Sequence, residues 1–431
     1  GGLNDQTTYY YKIWTYDTAG NWCQSEQFDS ATTPDRTRPS ATTGFSATAV
    51  GDAKNSDSGH VDLSWTNPAI DFGYVVIRRS TDGYPSSTSD GSPVYSGIGN
   101  GGGNLSTLTD SSLDDNIRYY YRIWVFDGVQ GTGNQCAAPQ EDNDITPDRT
   151  APQITGLSSA THSNQGLWYK DNTPDFSWSV TDTGGSSLSQ AKYLLNTSSG
   201  TLASTVLSSG TAAPSYSENN WTFPSAVPDG AGNWFHLAAE DGQGNDVVAH
   251  YRLRIDATAP SFDTLISSSS HGNESTWYQD DTPALTWAVS DAGGSTIKQR
   301  RYLLSTNGSL TAEDVLSGGT GTTSSKTNWP YPATIANGTN YFYVSVEDNA
   351  DGAGGYGNYT MDKYTLLIDN EPPTFSVISP QTQPGIYASS HYPEGIWKSN
   401  DSPLFSWTMT DGLDSSGVAE IRYHFDTNSG R

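Results

Sequence analysis

Two stretches of the chain resemble each other closely and decide the fold class. They are Leu3-Asn-Asp-Gln-Thr-Thr-Tyr9-Tyr-Tyr-Lys-Ile-Trp14-Thr-Tyr-Asp17 and Leu113-Asp-Asp-Asn-Ile-Arg-Tyr119-Tyr-Tyr-Arg-Ile-Trp124-Val-Phe-Asp127. From Leu3 to Leu113 the offset is 110 residues. Short alternating strands with turn residues every ten or so positions, repeated at this period, are typical of a seven-stranded β-sandwich. Helical periodicity is absent, so the sequence predicts an all-β protein built from tandem sandwiches.

A second repeat occurs three times further along the chain. Its copies are Trp168-Tyr-Lys-Asp-Asn-Thr-Pro174-Asp-Phe-Ser-Trp178, Trp277-Tyr-Gln-Asp-Asp-Thr-Pro283-Ala-Leu-Thr-Trp287 and Trp397-Lys-Ser-Asn-Asp-Ser-Pro403-Leu-Phe-Ser-Trp407. Two copies run on to a closing segment that ends in Ile-Asp and is followed by proline. Proline restricts both itself and the residue before it, so the boundaries should be short, stiff linkers and the array semi-rigid.

These motifs resemble two known families. Residues 38–150 look like a fibronectin type III domain, in which Leu113 and Tyr119 match the tyrosine corner. Residues 151–258 and 259–371 look like bacterial Ig-like repeats of large surface proteins. The resemblance implies head-to-tail immunoglobulin-like sandwiches in a protein that is extracellular or on the cell surface, with partial domains at 1–37 and 372–431. Each partial domain is completed either by a neighbouring copy or by the same, longer chain.

Composition narrows the function classes. Gly 44, Pro 22 and 12% aromatic residues describe many short strands and turns. The formal net charge of −26 would repel nucleic acid, and the sequence contains no apolar run long enough to span a membrane. Strong acidity keeps a long exposed polymer soluble, and it also makes divalent cations candidate partners.

An aromatic and cationic stripe on the outer sheet face is the candidate interface. Strand alternation places Val75, Ile77 and Arg79 outward beside it, and an apolar outer face suggests a contact with another domain or subunit. The alternative is a self-contained ladder in which cationic side chains stack on aromatic neighbours. The candidate residues are Tyr10, Lys12, Trp14, Tyr16, Val75, Ile77, Tyr120, Arg122, Trp124 and Phe126.

A weak calcium motif lies at Glu347, Asn349 and Asp351, followed by Gly352. Oxygen donors at alternate positions before a glycine can wrap a hard cation. The same residue types are also ordinary in hairpin turns. No cofactor is required by the sequence, and calcium is the one candidate.

Covalent links are the remaining candidates. Cys23 and Cys136 occupy equivalent places in consecutive repeats, too far apart for an intrachain disulfide, so they are either free or interchain thiols. Eight Asn-x-Ser/Thr sequons are candidate glycosylation sites, namely Asn104, Asn196, Asn220, Asn273, Asn307, Asn337, Asn358 and Asn400.

Catalytic motifs do not emerge: the seven histidines have no metal-like pair spacing, and no nucleophile elbow or phosphate-binding loop is present. The sequence therefore predicts a non-enzymatic structural segment of a large extracellular protein that associates with itself or with a neighbouring surface protein as a filament or sheath. Two alternatives stay open. One is a calcium-dependent adhesin or carbohydrate-binding array with glycan contact by Trp14 and Trp124. The other is a set of accessory modules of a giant secreted hydrolase.

Overall fold

The computed structural model of the chain describes residues 2–50, 59–129, 133–352, 354–381, 404–412 and 415–423. Within them the chain is almost entirely β, which confirms the predicted fold class. The strands are β1 Thr8–Ile13, β2 Gln27–Thr32, β3 Thr43–Val50, β4 Gly59–Thr66, β5 Tyr74–Ser80, β6 Ser92–Gly97, β7 Leu105–Leu113, β8 Arg118–Phe126, β9 Gln140–Ile145, β10 Gln153–Ser158, β11 Asp175–Thr181, β12 Leu188–Asn196, β13 Thr211–Ala212, β14 Ser217–Thr222, β15 Gly230–Asp241, β16 Asp246–Ile255, β17 Ser261–Ser268, β18 Trp277–Tyr278, β19 Ala284–Ser290, β20 Ile297–Ser305, β21 Thr320–Gly321, β22 Ser325–Pro330, β23 Gly338–Asp348, β24 Tyr359–Ile368, β25 Thr374–Gln381 and β26 Leu404–Thr410.

Strands β3 to β9 form sandwich 1. Its sheets have the orders β3-β4-β7 and β6-β5-β8-β9. In β4, Val61, Leu63 and Trp65 are at most 1% exposed and alternate with more exposed residues. Burying each of these side chains contributes about 1.5–3 kcal/mol. Alternation in one strand thus supplies one face of the core.

The tyrosine corner of sandwich 1 is formed as the sequence predicts. The Asp114 amide donates to the hydroxyl of Tyr119 over 3.1 Å, while the Tyr119 ring is buried in the core. In the first repeat, the Asn4 amide donates to the Tyr9 hydroxyl over 2.8 Å. This bond fixes the loop that enters the strand.

Strands β10 to β16 form sandwich 2, with the sheet orders β10-β11-β14 and β13-β12-β15-β16. Phe176 and Phe235, both fully buried, stack with 4.0 Å between their ring centroids. Trp178 and Tyr251 complete an aromatic core around them.

Strands β17 to β24 form sandwich 3, with the sheet orders β17-β19-β22 and β18-β24-β23-β20-β21. Trp287 and Phe342 take the core positions that correspond to Trp178 and Phe235. The two remaining strand pairs are antiparallel: β1 and β2 form the N-terminal hairpin, and β25 pairs with β26.

Two short helices accompany the strands in this all-β chain. Helix α1 spans Ala203–Ser209 in sandwich 2, and α2 spans Ala312–Gly318 at the equivalent place in sandwich 3. In α2, Thr311 and Asp314 exchange the two hydrogen bonds of a capping box. Each helix buries one Val-Leu pair against the adjacent sheet, so tertiary packing stabilises elements too short to persist alone.

Candidate functional site

The outer face of β8 is closed by its own neighbours. Trp124 faces outward as predicted but is only 2% exposed. Phe126 stacks on Tyr74 at 4.8 Å between ring centroids. Arg122 binds Glu141 through Nε at 3.0 Å, and Tyr120 packs edge-on against Tyr84. This arrangement is the self-contained ladder, and it leaves Trp124 inaccessible to a glycan.

The predicted outward orientation of Val75 and Ile77 is wrong. Both side chains are fully buried in the core of sandwich 1. The register pairs Ile77 with Ile123, and residues directly opposite in adjacent antiparallel strands point to the same face. Arg79 lies on this inner side too and forms an ion pair with Asp110 at the end of the core.

The N-terminal hairpin carries the exposed part of the predicted stripe. Tyr10 is 83%, Trp14 48% and Tyr16 68% exposed. Lys12 lies 4.9 Å from the Trp14 ring and pairs with Glu26, which also accepts the Trp14 indole N–H at 2.9 Å. Internal contacts therefore order the stripe. Its exposure belongs to a unit in which the structure describes only β1 and β2, and Ile13, which corresponds to the buried Ile123, is exposed as well.

A lysine side chain neutralises the acidic residues of the predicted calcium loop. Lys298 Nζ lies 3.0 Å from Glu347 Oε1 and 2.9 Å from Asp351 Oδ2. The amide nitrogen of Asn349 donates to the carbonyl oxygens of Ser295 and Thr296, 3.0 Å away in each case. The prediction of a calcium loop at these residues gains no support from this arrangement.

Both cysteines are free thiols in this single chain. Cys136 is 2% exposed, and burial raises its pKa. Cys23 is half-buried; hydrogen bonding from Thr15 lowers its pKa. Only Cys23 is therefore placed to react with a partner.

The sequons differ in accessibility. Asn196 and Asn358 are half-buried, and the Asn358 amide nitrogen is engaged by Asp256 and Asp348. Asn400 lies outside the described residues. Those with exposed side chains are Asn104, Asn220, Asn273, Asn307 and Asn337.

Three groups of aspartates, which we term joint clusters, lie where one unit meets the next. In each, one carboxylate oxygen per residue lies within 4.8 Å of the others. One aspartate comes from the boundary segment and one from the loop after β4, β11 or β19 of the following sandwich. The third, the hairpin aspartate, lies where the last hairpin of that sandwich begins its turn. The first joint cluster is Asp35, Asp71 and Asp127, the second Asp148, Asp182 and Asp241, and the third Asp256, Asp291 and Asp348.

Backbone amides hold the boundary aspartate of the third cluster. Asp256 is fully buried and accepts hydrogen bonds from the amides of Ser295 at 2.8 Å and Thr258 at 3.2 Å. Asp148 in the second cluster binds the amides of Ser186 and Thr150 in the same way. The boundary aspartates of the second and third clusters are therefore held by equivalent backbone hydrogen bonds.

An asparagine crosses each joint. Its side-chain amide binds the hairpin aspartate of its own sandwich and the backbone oxygen of the boundary aspartate. The distances to that backbone oxygen are 3.2 Å for Asn134 to Asp35, 3.1 Å for Asn245 to Asp148 and 2.7 Å for Asn358 to Asp256.

The middle aspartate of each cluster has an oxygen without a partner. Asp71 Oδ2, Asp182 Oδ2 and Asp291 Oδ2 are buried and accept no hydrogen bond. Burial raises the pKa of Asp291, and repulsion from Asp256 raises it further. Burial likewise raises the pKa of Asp71, with repulsion from Asp127 and Asp35 adding to the shift. The clusters are electrostatically strained as bare carboxylates.

The joint clusters were missed from the sequence, although a signal exists. The boundary aspartates stand out in the sequence only because prolines lie close to them. Asp182-Thr-Gly184 and Asp291-Ala-Gly293 recur at equivalent positions, and a Gly-Asn pair ends the turn after each hairpin aspartate, at a distance that varies with the length of the turn. Repetition of all three positions at successive joints could have revealed the groups.

Two histidines at equivalent positions of sandwiches 2 and 3 stabilise the fold. His162 and His271 are buried, and each contacts a backbone oxygen through Nε2 at 2.6 Å. The hydroxyl of Tyr251 donates to the His162 carbonyl oxygen, and Tyr364 does the same to His271. These contacts connect each histidine to the backbone of its own sandwich.

Comparison with known proteins gives limited relationships. No family model matches the chain. Exoglucanase B of Cellulomonas fimi is 27% identical over 349 residues, which is 78% of this chain and 28% of that protein. Drosophila N-cadherin EC1-4 aligns over 85% of both chains at 14% identity with a TM-score of 0.24. The chicken CNTN1 FN1-FN3 domains align over 75% of this chain and 98% of their own, at 12% identity with a TM-score of 0.20. In the described part of this chain, no helix has the length and apolarity needed to cross a membrane.

Proposed function

We propose that this segment is a non-catalytic spacer in a larger extracellular protein, in which β-sandwiches are held in line by a repeated joint. The observation that carries the proposal is the asparagine bridge across three successive joints. A chain of sandwiches joined by flexible linkers would not need the same contact at each boundary. Repetition of one contact favours a defined relation between neighbours.

Direct contacts between sandwiches 2 and 3 support the same role. Lys170 Nζ donates to the carbonyl oxygen of Tyr356 at 2.9 Å, and the Gly352 amide donates to that of Trp168 at 2.9 Å. The Tyr169 ring would lie 2.7 Å from a Cβ added at Gly352. Close packing of this kind limits bending between the two sandwiches.

The relationship to exoglucanase B favours one setting for the spacer. The aligned region makes up 28% of that protein, so it is a minor part of a longer chain. We propose that the array here separates functional parts of a secreted, glycan-degrading protein. The sandwiches then set distance and orientation, and catalysis belongs to other regions.

Small-angle X-ray scattering of the chain tests the spacer proposal. Sandwiches about 35 Å long in a stiff row give an extended particle. Replacing Asn245 and Asn358 with alanine should shorten the mean maximum dimension, because the joints gain freedom. Asn219→Ala, at an exposed position, is the matched control. A wild-type particle as flexible as the double variant would contradict the proposal.

Self-association into a filament or sheath is a second candidate. Neighbouring strands cover Trp124 in sandwich 1, whereas the equivalent Trp14 in the hairpin is exposed together with the inward-facing Ile13, so a second copy would supply the missing cover. Apolar surface of this kind often marks a protein contact. Sedimentation over a hundredfold concentration range should then show oligomers that Trp14→Ser with Tyr16→Ser abolishes. A chain that stays monomeric throughout would remove this candidate.

A further inference from the structure

We propose that each joint cluster binds a calcium ion, which is shared between the boundary aspartate and two loop aspartates of the following sandwich. This inference deepens the spacer function by naming what fastens the joints. It starts from the way the three clusters repeat the same composition and spacing.

Charge balance is the first argument. Each cluster brings three carboxylates together, and Asp256 and Asp348 of the third are fully buried. In the part of the chain that the structure describes, no lysine or arginine forms an ion pair with any cluster aspartate. Buried charges in proteins are paired or coordinate metals, because desolvation otherwise makes them costly. A cation is therefore the missing component.

Unused donor capacity is the second argument. The Asp182 and Asp291 Oδ2 atoms are buried without a hydrogen-bond partner, as is Asp71 Oδ2 in the first cluster. Ser295, whose amide holds Asp256, is only 4% exposed and its hydroxyl also lacks a partner. At the next boundary, Asp411 Oδ1 is another buried orphan, and Ser416 binds Asp369. A buried carboxylate oxygen without a hydrogen-bond partner therefore occurs at four successive joints.

Ligand chemistry selects the metal. The clusters offer only oxygen ligands, which suit hard cations and exclude the thiolate and imidazole sets typical of zinc. Calcium–oxygen distances of about 2.3–2.6 Å place two ligands as much as about 5 Å apart, which accommodates oxygens that all lie within 4.8 Å of one another. Magnesium requires about 2.0–2.1 Å and a regular octahedron, and it usually keeps several waters and binds only one or two carboxylates, so a group of three carboxylates favours calcium. Water and backbone oxygens would complete the calcium shell.

The acidic loop at Glu347 and Asp351 provides an internal contrast. Its two carboxylates are bridged by Lys298. At this loop the protein neutralises two carboxylates with a lysine of its own. The joint clusters contain three carboxylates each and form no ion pair with a lysine or arginine among the described residues. A metal ion is therefore expected at the joints and not at this loop.

Calcium titration of the EDTA-treated, dialysed chain, by calorimetry and by metal analysis after equilibrium dialysis, tests the proposal. We expect three calcium ions per chain with dissociation constants of about 10⁻⁴ to 10⁻³ M, the range of extracellular calcium modules. Asp182→Asn and Asp291→Asn should each remove one ion, and the double variant two. Asp351→Asn is the matched control and should retain all three. Magnesium chloride should bind at least about tenfold more weakly.

Thermal unfolding provides a readout that guards against misfolded variants. In EDTA, Asp291→Asn should unfold at the same or a higher temperature than wild type, since it removes repulsion within the cluster. In 10 mM calcium chloride the order should reverse, because only wild type gains the binding energy at that joint. Absence of bound calcium in wild type, retention of three ions by both asparagine variants, or loss of an ion in Asp351→Asn would overturn the proposal. An extended, stiff particle that binds no calcium would refute this inference alone and leave the spacer function standing.

Discussion

Replacing Gly293 with alanine should damage the third joint through one identifiable collision. A Cβ at this position would lie 1.6 Å from Asp256 Oδ1 and 2.3 Å from Asp256 Cγ. The backbone of Gly293 is not in the left-handed region, so alanine can adopt its conformation and the cost is steric. The fully buried Asp256 carboxylate must move, and it then loses the hydrogen bond from the Ser295 amide.

The size of the effect follows from these two losses. Overpacking a closed site costs about 1–3 kcal/mol, and a hydrogen bond to a charged group contributes about 1.5–3 kcal/mol. Partial relaxation of the loop makes a total of about 3 kcal/mol reasonable. For a sandwich of this size, about 4 °C per kcal/mol gives a fall of about 12 °C in the unfolding temperature of sandwich 3.

Thermal unfolding in EDTA, with hydrogen exchange and mass spectrometry to report on each sandwich separately, measures the change without any contribution from a metal. Gly232→Ala is the control, because a Cβ there meets nothing within 4 Å. If sandwich 3 of Gly293→Ala unfolds within about 2 °C of wild type, the carboxylate is not fixed as described. The reasoning about the joint would then fail.

Three further predictions concern single side chains. Tyr251→Phe should lower the free energy of unfolding of sandwich 2, measured in urea, by about 1–3 kcal/mol, because a buried carbonyl oxygen loses its donor. The control Tyr359→Phe, at the surface, should change the free energy of unfolding little, and equal effects of the two variants would contradict the role of the buried hydrogen bond. Burial and repulsion from a neighbouring histidine lower the pKa of His236 to about 4 from 6.5. The unfolded state therefore binds more protons between these two values, and the free energy of unfolding should fall as pH drops through this window. His236→Gln should reduce this pH dependence in urea titrations, and an unchanged pH dependence would refute the assignment. A thiol reagent should label only Cys23 in the native chain and Cys136 as well in denaturant, because Cys136 is buried; native labelling of both thiols would disprove the burial.

The sequence predicted well those features that depend on local pattern. Alternation in Val61-Asp-Leu-Ser-Trp65 identified a strand and its buried face, and the Leu113 to Tyr119 spacing predicted a corner that the structure forms. Such features need only the period-two geometry of a strand and contacts within a few residues.

Local pattern failed where it was ambiguous or short. Tyr74-Val-Val-Ile77 is a continuous apolar run, so alternation could not tell which residues face the core. The pairing of Ile77 with Ile123 decided it. The helix α2 was missed because seven residues give too little periodicity, although Thr311 and Asp314 form a recognisable capping pair.

By itself, the sequence determined that this chain is a row of β-sandwiches, since the fold follows from strand alternation, turn residues and a repeat near 110 residues. Only the tertiary structure decided which acidic residues act together. Asp256, Asp291 and Asp348 are separated by dozens of positions, and their carboxylates meet because a boundary segment and two loops converge at one end of a sandwich. Glu347 and Asp351, close in sequence, are instead paired with Lys298. Proximity along the chain is therefore a poor guide to a cation site in this protein, because electrostatic energy depends on distance in space.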